Sequence, residues 1–387
     1  MLKSRLKLQK DHHERHATWL EAFYDLVFVF IINTLIYNLE QHPQFSGVGL
    51  FLLLMLPAWW LWVDFSYYFD QFGDDDFITR LCLFLSMLLI LYMGLIVLDI
   101  VRNAQYFNIV YGLQRLLITF LYLRAYKYVP EARSTTKKFS LSFMISLGLW
   151  AIALFFTGPV KFTLWGIALA VEILNGPIVY ATTKSPPGFK SHMPERFGIF
   201  LIIILGETIL TVASGLKHVP LAPVSVITSC LSFLIAINVW WLYFSRINDE
   251  RITKALLQGS KKTLLGSYVY GYGHFFIYSG IGIIGSGILL CFDTPHDLAL
   301  PHNSRIVLCC GMLIYLTALY IVQRASNRVF TSLYTVLNII LIALFSGLIV
   351  WATALLPNTL LAIAATALSM LSLYVWAQAS LLQADRS

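Results

Sequence analysis

Apolar residues in this chain neither alternate nor keep to one helical face; they come in near-continuous runs separated by short polar connections. A hydrocarbon core about 30 Å thick takes ~20 helical residues to cross, so each run of that length predicts a transmembrane helix. Twelve runs qualify: 20–39, 47–68, 79–99, 106–126, 139–157, 160–182, 197–216, 223–245, 263–290, 305–323, 331–352 and 358–380. The longest connections, at 1–19, 69–78, 127–138, 183–196 and 246–262, leave little chain for a soluble domain. The expected fold class is an all-α integral membrane protein of twelve transmembrane helices.

Charge adds an orientation. With the N-terminus inside, 22 of the 27 Lys and Arg residues fall on inner segments. Arg102, Lys161, Lys217 and Arg305 fall outside, and Arg115 lies within a span. That asymmetry follows the positive-inside rule and puts both termini in the cytoplasm. The net charge of +7 is therefore a topology signal, and no nucleic-acid partner is expected. The polar start, residues 1–18, argues against a cleavable signal peptide.

Two correspondences imply a duplication. Glu14-Arg15 precedes the first span and Glu195-Arg196 the seventh; Trp59-Trp60-Leu61 lies in the second span and Trp240-Trp241-Leu242 in the eighth. Both offsets are 181 residues. Six helices per copy keep the copies in one orientation, so the repeats are expected to be parallel. The expected segments are a basic cytoplasmic stretch at 1–19, a six-helix bundle at 20–183, a cytoplasmic linker at 184–196 and a second bundle at 197–387.

Ionisable residues within spans are costly and face protein or water. Here they are Glu21, Asp25, Asp64, Glu172 and Glu207, with Arg115 as the one clear buried cation. Glu21 and Asp25, four residues apart, lie about 40° apart on one helix face, with Asn33 in the same broad sector. Glu207, Thr211, Ser214 and His218 form a stripe on the seventh span, and the repeat offset places Glu207 next to Asp25. These acidic faces would line a pathway for cations or protons. The structural alternative pairs Asp25 and Glu207 with Arg115, and lets Glu21 satisfy its own helix N-terminus. Asp64 lies near the inner end of its helix, and Glu172 with Asn175 would bridge helices.

Other patterns point away from chemistry. The aromatic clusters at 57–69 (with Trp59, Trp60 and Trp62) and 238–244 (with Trp240 and Trp241) read as interfacial belts, or else as a cation–π platform. Gly280, Gly282 and Gly285 spell GxGxxG, but inside an apolar span, where small residues serve helix packing. His12 and His16 in DHHERH lack a second cluster to complete a metal site, and His274 reads as a hydrogen-bonded core residue. Cys82, Cys230, Cys291, Cys309 and Cys310 form no CxxC pair and read as small apolar residues without disulfides. No metal or other cofactor is expected, and GxxxxGK[ST], HExxH and GxSxG are absent from the sequence.

The segment ERHATWLEAFYDLVFVFIINTL (14–35) resembles the opening signature of the bacterial low temperature requirement protein A family, and ERFGIFLIIILGETIL (195–210) resembles its second marked segment. The Trp-Trp of the second span fits as well, and the resemblance covers the whole length. Ala22 departs from that signature only in size. The family implies an integral membrane protein linked to growth in the cold, and hence a multi-pass protein of the bacterial cytoplasmic (inner) membrane. Residues 20–39 are also similar to the first helix of the bacterial and lysosomal potassium channels, which are built from six-helix units. Asp25 and Phe23 then match that family's Asp and Phe, whereas Tyr24 replaces its Ser.

The expected function is a channel or transporter for monovalent cations or protons, with its pathway between helices 1 and 7. Its expected site residues are Glu21, Asp25, Asp64, Arg115, Glu207, Thr211 and Ser214, with Ile31, Ile32 and Leu35 as an apolar gate. The alternatives are an intramembrane enzyme acting on a lipid or isoprenoid at Glu21, Asp25 and Asp64, and a sensor or scaffold responding to membrane state. The expected partners are the lipid bilayer and a small cation or proton; a homodimer is compatible with this.

Overall fold

A computed structural model of the chain describes residue 6 and residues 17–73, 76–183, 193–217, 219–220, 222–245, 261–294 and 299–326. All regular structure among them is helical: α1 (Trp19–Gln41), α2 (Phe45–Phe72), α3 (Phe77–Val97), α4 (Ala104–Tyr128), α5 (Arg133–Ala153), α6 (Gly158–Thr182), α7 (Met193–Lys217), α8 (Pro223–Phe244), α9 (Lys261–Phe292) and α10 (His302–Ser326). These match the first ten apolar runs. The runs at 331–352 and 358–380, the DHHERH cluster and His218 lie outside the described residues.

Eight of the helices, all but α4 and α5, are long and apolar enough to cross a membrane. Helix α4 falls short because its inward face is polar. Asn108, Tyr111, Gln114, Arg115 and Tyr122 are buried, while Tyr106, Ile109, Leu113, Leu116, Phe120 and Leu123 are exposed at three- and four-residue steps. Helix α3 follows the same scheme, burying Thr79 and Ser86 and exposing Leu81, Leu88 and Leu95. Apolar outside and polar inside is the arrangement expected of helices solvated by lipid.

Local chemistry sets the helix ends. Thr18 and Glu21 form a capping box: the Thr18 amide donates to Glu21 Oε2 at 2.9 Å, and the Glu21 amide donates to Thr18 Oγ1 at 3.2 Å. Asp76 caps α3 by accepting from the Thr79 amide at 3.2 Å. Gly73, at φ 75°, ends α2 in the left-handed conformation that a residue with Cβ resists. Helix α5 begins six residues before its expected start, because the polar turn Arg133–Lys138 is helical and Lys138 reaches the carbonyl of Thr182 at 2.6 Å.

The chain forms two compact units, and α1, α2 and α7 each contribute to both. The first takes in α1 to Leu35, α2 from Leu54, all of α3 to α6, and α7 to Ile199. Helices α3 to α6 pack as successive neighbours. Every residue of α2 from Pro57 to Phe72 except Tyr67 is buried, so α2 is the first unit's inner helix. Gly94 of α3 leaves room for the Phe30 ring of α1, and Ile31, Ile32 and Leu35 are buried.

In the second unit, α9 and α10 pack through glycines. A Cβ at Gly280 would lie 2.7 Å from the Tyr315 backbone, one at Gly287 2.9 Å from Leu308 Cα, and one at Gly311 2.7 Å from the Ile284 backbone. Gly273, against Val322, joins Gly280 and Gly287 at seven-residue spacing, which keeps one seam facing the partner helix. The GxGxxG pattern thus lies in a packed helix, as its setting in an apolar span implied.

Candidate functional site

Two buried ion-pair centres organise the first unit. At the first, Asp25 of α1 pairs with Arg196 of α7 at 2.5 Å, and both side chains are fully buried. Trp62 Nε1 donates to the same Asp25 oxygen at 2.6 Å, and the Arg196 guanidinium lies 5.6 Å from the Trp62 ring centroid. Asp25 Oδ2 and the Nε and Nη1 of Arg196 have no hydrogen-bond partner. The adjacent Tyr24 hydroxyl lies 3.5 Å from Ser86 Oγ, which donates to Gln114 Oε1 at 2.7 Å, so α1, α3 and α4 are tied together beside the pair.

The second centre joins Arg115 of α4, Asp64 of α2 and Glu172 of α6. Arg115 Nη1 bonds Asp64 Oδ2 and lies 3.4 Å from Glu172 Oε2. Glu172 also accepts from the Tyr111 hydroxyl at 2.8 Å, from Trp150 Nε1 at 3.1 Å and from the Ser146 hydroxyl. Both of its oxygens are therefore doubly engaged, which fills a carboxylate's acceptor capacity. Among the described residues Asp64 bonds only to Arg115, and 11% of its side chain stays exposed. Arg115 sits near the midpoint of its 25-residue helix, and its Nε and Nη2 have no partner. Two carboxylates thus share one guanidinium.

Against this geometry, a family model, "Bacterial low temperature requirement A protein (LtrA)", matches residues 16–370. The chain belongs to the LtrA family. It is also 25% identical over 332 residues to "Uncharacterized protein RA0937" of Rhizobium meliloti (strain 1021), covering 83% of this chain and 81% of that one. No solved structure matches. Length, composition and family together make this LtrA chain a multi-pass membrane protein.

Several readings from sequence need correcting. Arg115 is not the one buried cation, since Arg196, Arg124 and Lys161 are buried too. Arg115 is not the partner of Asp25; Arg196 is, from within α7 rather than from a linker. Sequence alone records no pairing, and Arg196 at the edge of an apolar run reads as a topology marker. Glu21 does accept from its own helix's N-terminal turn, at the Thr18 amide. The two Trp-Trp pairs differ. Trp59 and Trp60 are buried among helices, so they form no interfacial belt, whereas Trp240 and Trp241 are each 46% exposed, as a belt requires. Hydropathy does not reveal how many neighbours a helix has.

The second unit of the LtrA chain holds Glu207, Thr208 and Thr211, all buried, with Ser214 at intermediate exposure. The Thr211 hydroxyl donates to the Glu207 carbonyl at 3.0 Å, so part of the polar stripe is turned onto its own helix. His274 donates through Nδ1 to the Tyr270 carbonyl at 2.7 Å, and its Nε2 lies within hydrogen-bond distance of the Tyr243 hydroxyl, at 2.9 Å. It is a core histidine with a hydrogen-bond partner at each ring nitrogen. All five cysteines are free, and no cluster of metal ligands occurs among the described residues.

Proposed function

We propose that this LtrA protein is a channel or transporter for protons or monovalent cations, with Arg115, Asp64 and Glu172 as the site that takes up the charge. The carrying observation is the stoichiometry: one guanidinium faces two carboxylates near the middle of a bundle. An uncompensated charge buried there costs several kcal/mol. Binding one proton or one small cation removes it. Glu172 has no acceptor site left for an arriving ion, so the ion meets Asp64. The Asp25–Arg196 pair is a closed contact between α1 and α7, the helices between which a pathway was expected. Ile31, Ile32 and Leu35, buried on α1 in the same unit, form an apolar constriction. The architecture that goes with this reading is twelve spans in two parallel repeats, both termini cytoplasmic, in the bacterial inner membrane.

One observation favours the sensor or scaffold instead: Asp25, Asp64 and Glu172 all have protein partners. Flux separates the two readings. Purified protein in liposomes, given a pH, Na⁺ or K⁺ gradient and a permeable counter-ion, should dissipate at least one of them. Asp64→Asn should abolish that flux in protein that still folds. Folded wild type that passes none of the three ions removes the transport reading and leaves the sensor.

A further inference from the structure

The ion-pair triad has an unfinished polar edge. Asn175, on α6 one turn beyond Glu172, is 3% exposed, and neither its Nδ2 nor its Oδ1 has a partner. Ser140 of α5 is 2% exposed, and its hydroxyl is likewise unpartnered. Glu172 itself lies 3.4 Å from Arg115, whose Nε and Nη2 are unpaired too. Contacts between α5 and α6 fix the order of these groups along the helices. Ser146 and Trp150 reach Glu172, while Lys138 reaches Thr182, so α5 and α6 run antiparallel. Moving from Glu172 toward the end of α6 is therefore moving toward the start of α5. Asn175 comes first, Ser140 about a turn later, and Lys138 with Thr182 at the exposed rim.

A buried amide with both ends unpaired is costly, more so where lipid rather than water surrounds the bundle. Such groups usually hold ordered water. The atoms are closed off in this conformation, so water enters only when the helices part. Helix α6 is weakest at that level: Gly176 and Pro177 follow Asn175, and Pro177 has no N–H for the carbonyl four residues back.

We propose that Asn175 and Ser140 form a water-binding branch, filled as α6 yields at Gly176-Pro177, through which protons or small cations reach the Arg115–Asp64–Glu172 site from the end carrying Arg133, Lys137 and Lys138. This rests on the transport reading for its purpose, but its test does not. In a background with the five cysteines replaced, Asn175→Cys and Ser140→Cys are reconstituted in oriented vesicles. A charged, bilayer-impermeant methanethiosulfonate is added to either side. Unreacted thiols are counted after denaturation with a heavy maleimide on a gel. The reagent needs a hydrated thiolate, so both positions should react about tenfold or more faster than the lipid-facing control Leu141→Cys. They should do so from the side where α6 ends. Ser140→Cys is nearly isosteric and keeps the test valid if Asn175→Cys does not fold. Rates equal to Leu141→Cys, or labelling from the opposite side alone, overturn the branch even where flux is intact. Labelling without flux keeps the branch and removes the transport reading.

Discussion

Arg196→Met would leave Asp25 buried with one neutral donor, Trp62 Nε1 at 2.6 Å, and no counter-ion. Breaking one side of a buried pair costs about 3–5 kcal/mol, because the surviving charge keeps its desolvation penalty. For a unit of this size that is a fall in Tm on the order of 10 °C. Asp25→Leu does similar harm from the other side, stranding a guanidinium whose Nε and Nη1 already lack partners. The double variant removes both charges and strands only the Trp62 N–H, at about 1–3 kcal/mol. It should therefore be more stable than either single variant, with a coupling energy of about 6 kcal/mol, above the usual range for a contacting pair. Thermal unfolding in detergent, followed by tryptophan fluorescence, measures all four proteins. If the double variant loses the sum of the single losses, or Arg196→Met unfolds at the wild-type temperature, the pair is not a buried ion pair and the argument from it fails.

Three further outcomes are expected. Gly280→Val should lower Tm by an amount corresponding to at least roughly 1–3 kcal/mol, since even its Cβ would lie 2.7 Å from the Tyr315 backbone; an unchanged melting curve would contradict the α9–α10 seam. Thr18→Ala removes half of the α1 capping box and should cost about 1 kcal/mol, seen in the same melt; no loss would mean the box is not formed. At Asp76 burial opposes the charge, but the Arg124 contact at 2.7 Å and the Thr79 bonds prevail and hold the carboxyl below its usual value. A carboxylate lowered by folding adds stability above its unfolded pKa of about 4, and that stability is lost as pH falls through the folded value. Asp76→Asn should thus lower Tm at neutral pH and flatten its acid decline; an acid limb identical to wild type would assign the decline elsewhere.

Helix positions were legible in the sequence because lipid thickness sets one length for every span and the apolar runs record it. Pairing was not. Asp25, Asp64, Arg115 and Glu172 announce themselves as charges in apolar runs, but their spacing along the chain carries nothing about which of them meet. Arg196 was hidden by position, since an arginine at the mouth of a span looks like a topology charge until the helix is seen to begin at Met193. Trp59 and Trp240 were indistinguishable in sequence, each the first of a Trp-Trp-Leu triplet. Their difference in exposure depends on neighbours that only the packed bundle supplies. Ser86 and Gln114, linking α3 to α4, gave no signal at all, because a single Ser or Gln in a span is common.

The two centres are not independent, because α2 serves both. Trp62 holds Asp25, and Asp64, two residues on, holds Arg115. Two residues are about 200° of helical turn, so the two side chains leave α2 in nearly opposite directions and the helix lies between the centres. Around them α2 is buried on every side, so it cannot shift at one centre without shifting at the other. A proton or cation that neutralises Asp64 weakens its hold on Arg115. Were α2 to move once that hold is weakened, it would withdraw Trp62 from Asp25. The α1–α7 contact would then rest on Arg196 alone, with the Asp25 charge less well solvated than before. On the proposed reading, charge arriving at one centre would be converted into loosening at the other. A transporter needs that conversion, and so would a sensor, which is why ion flux and not the ion pairs themselves must decide between them.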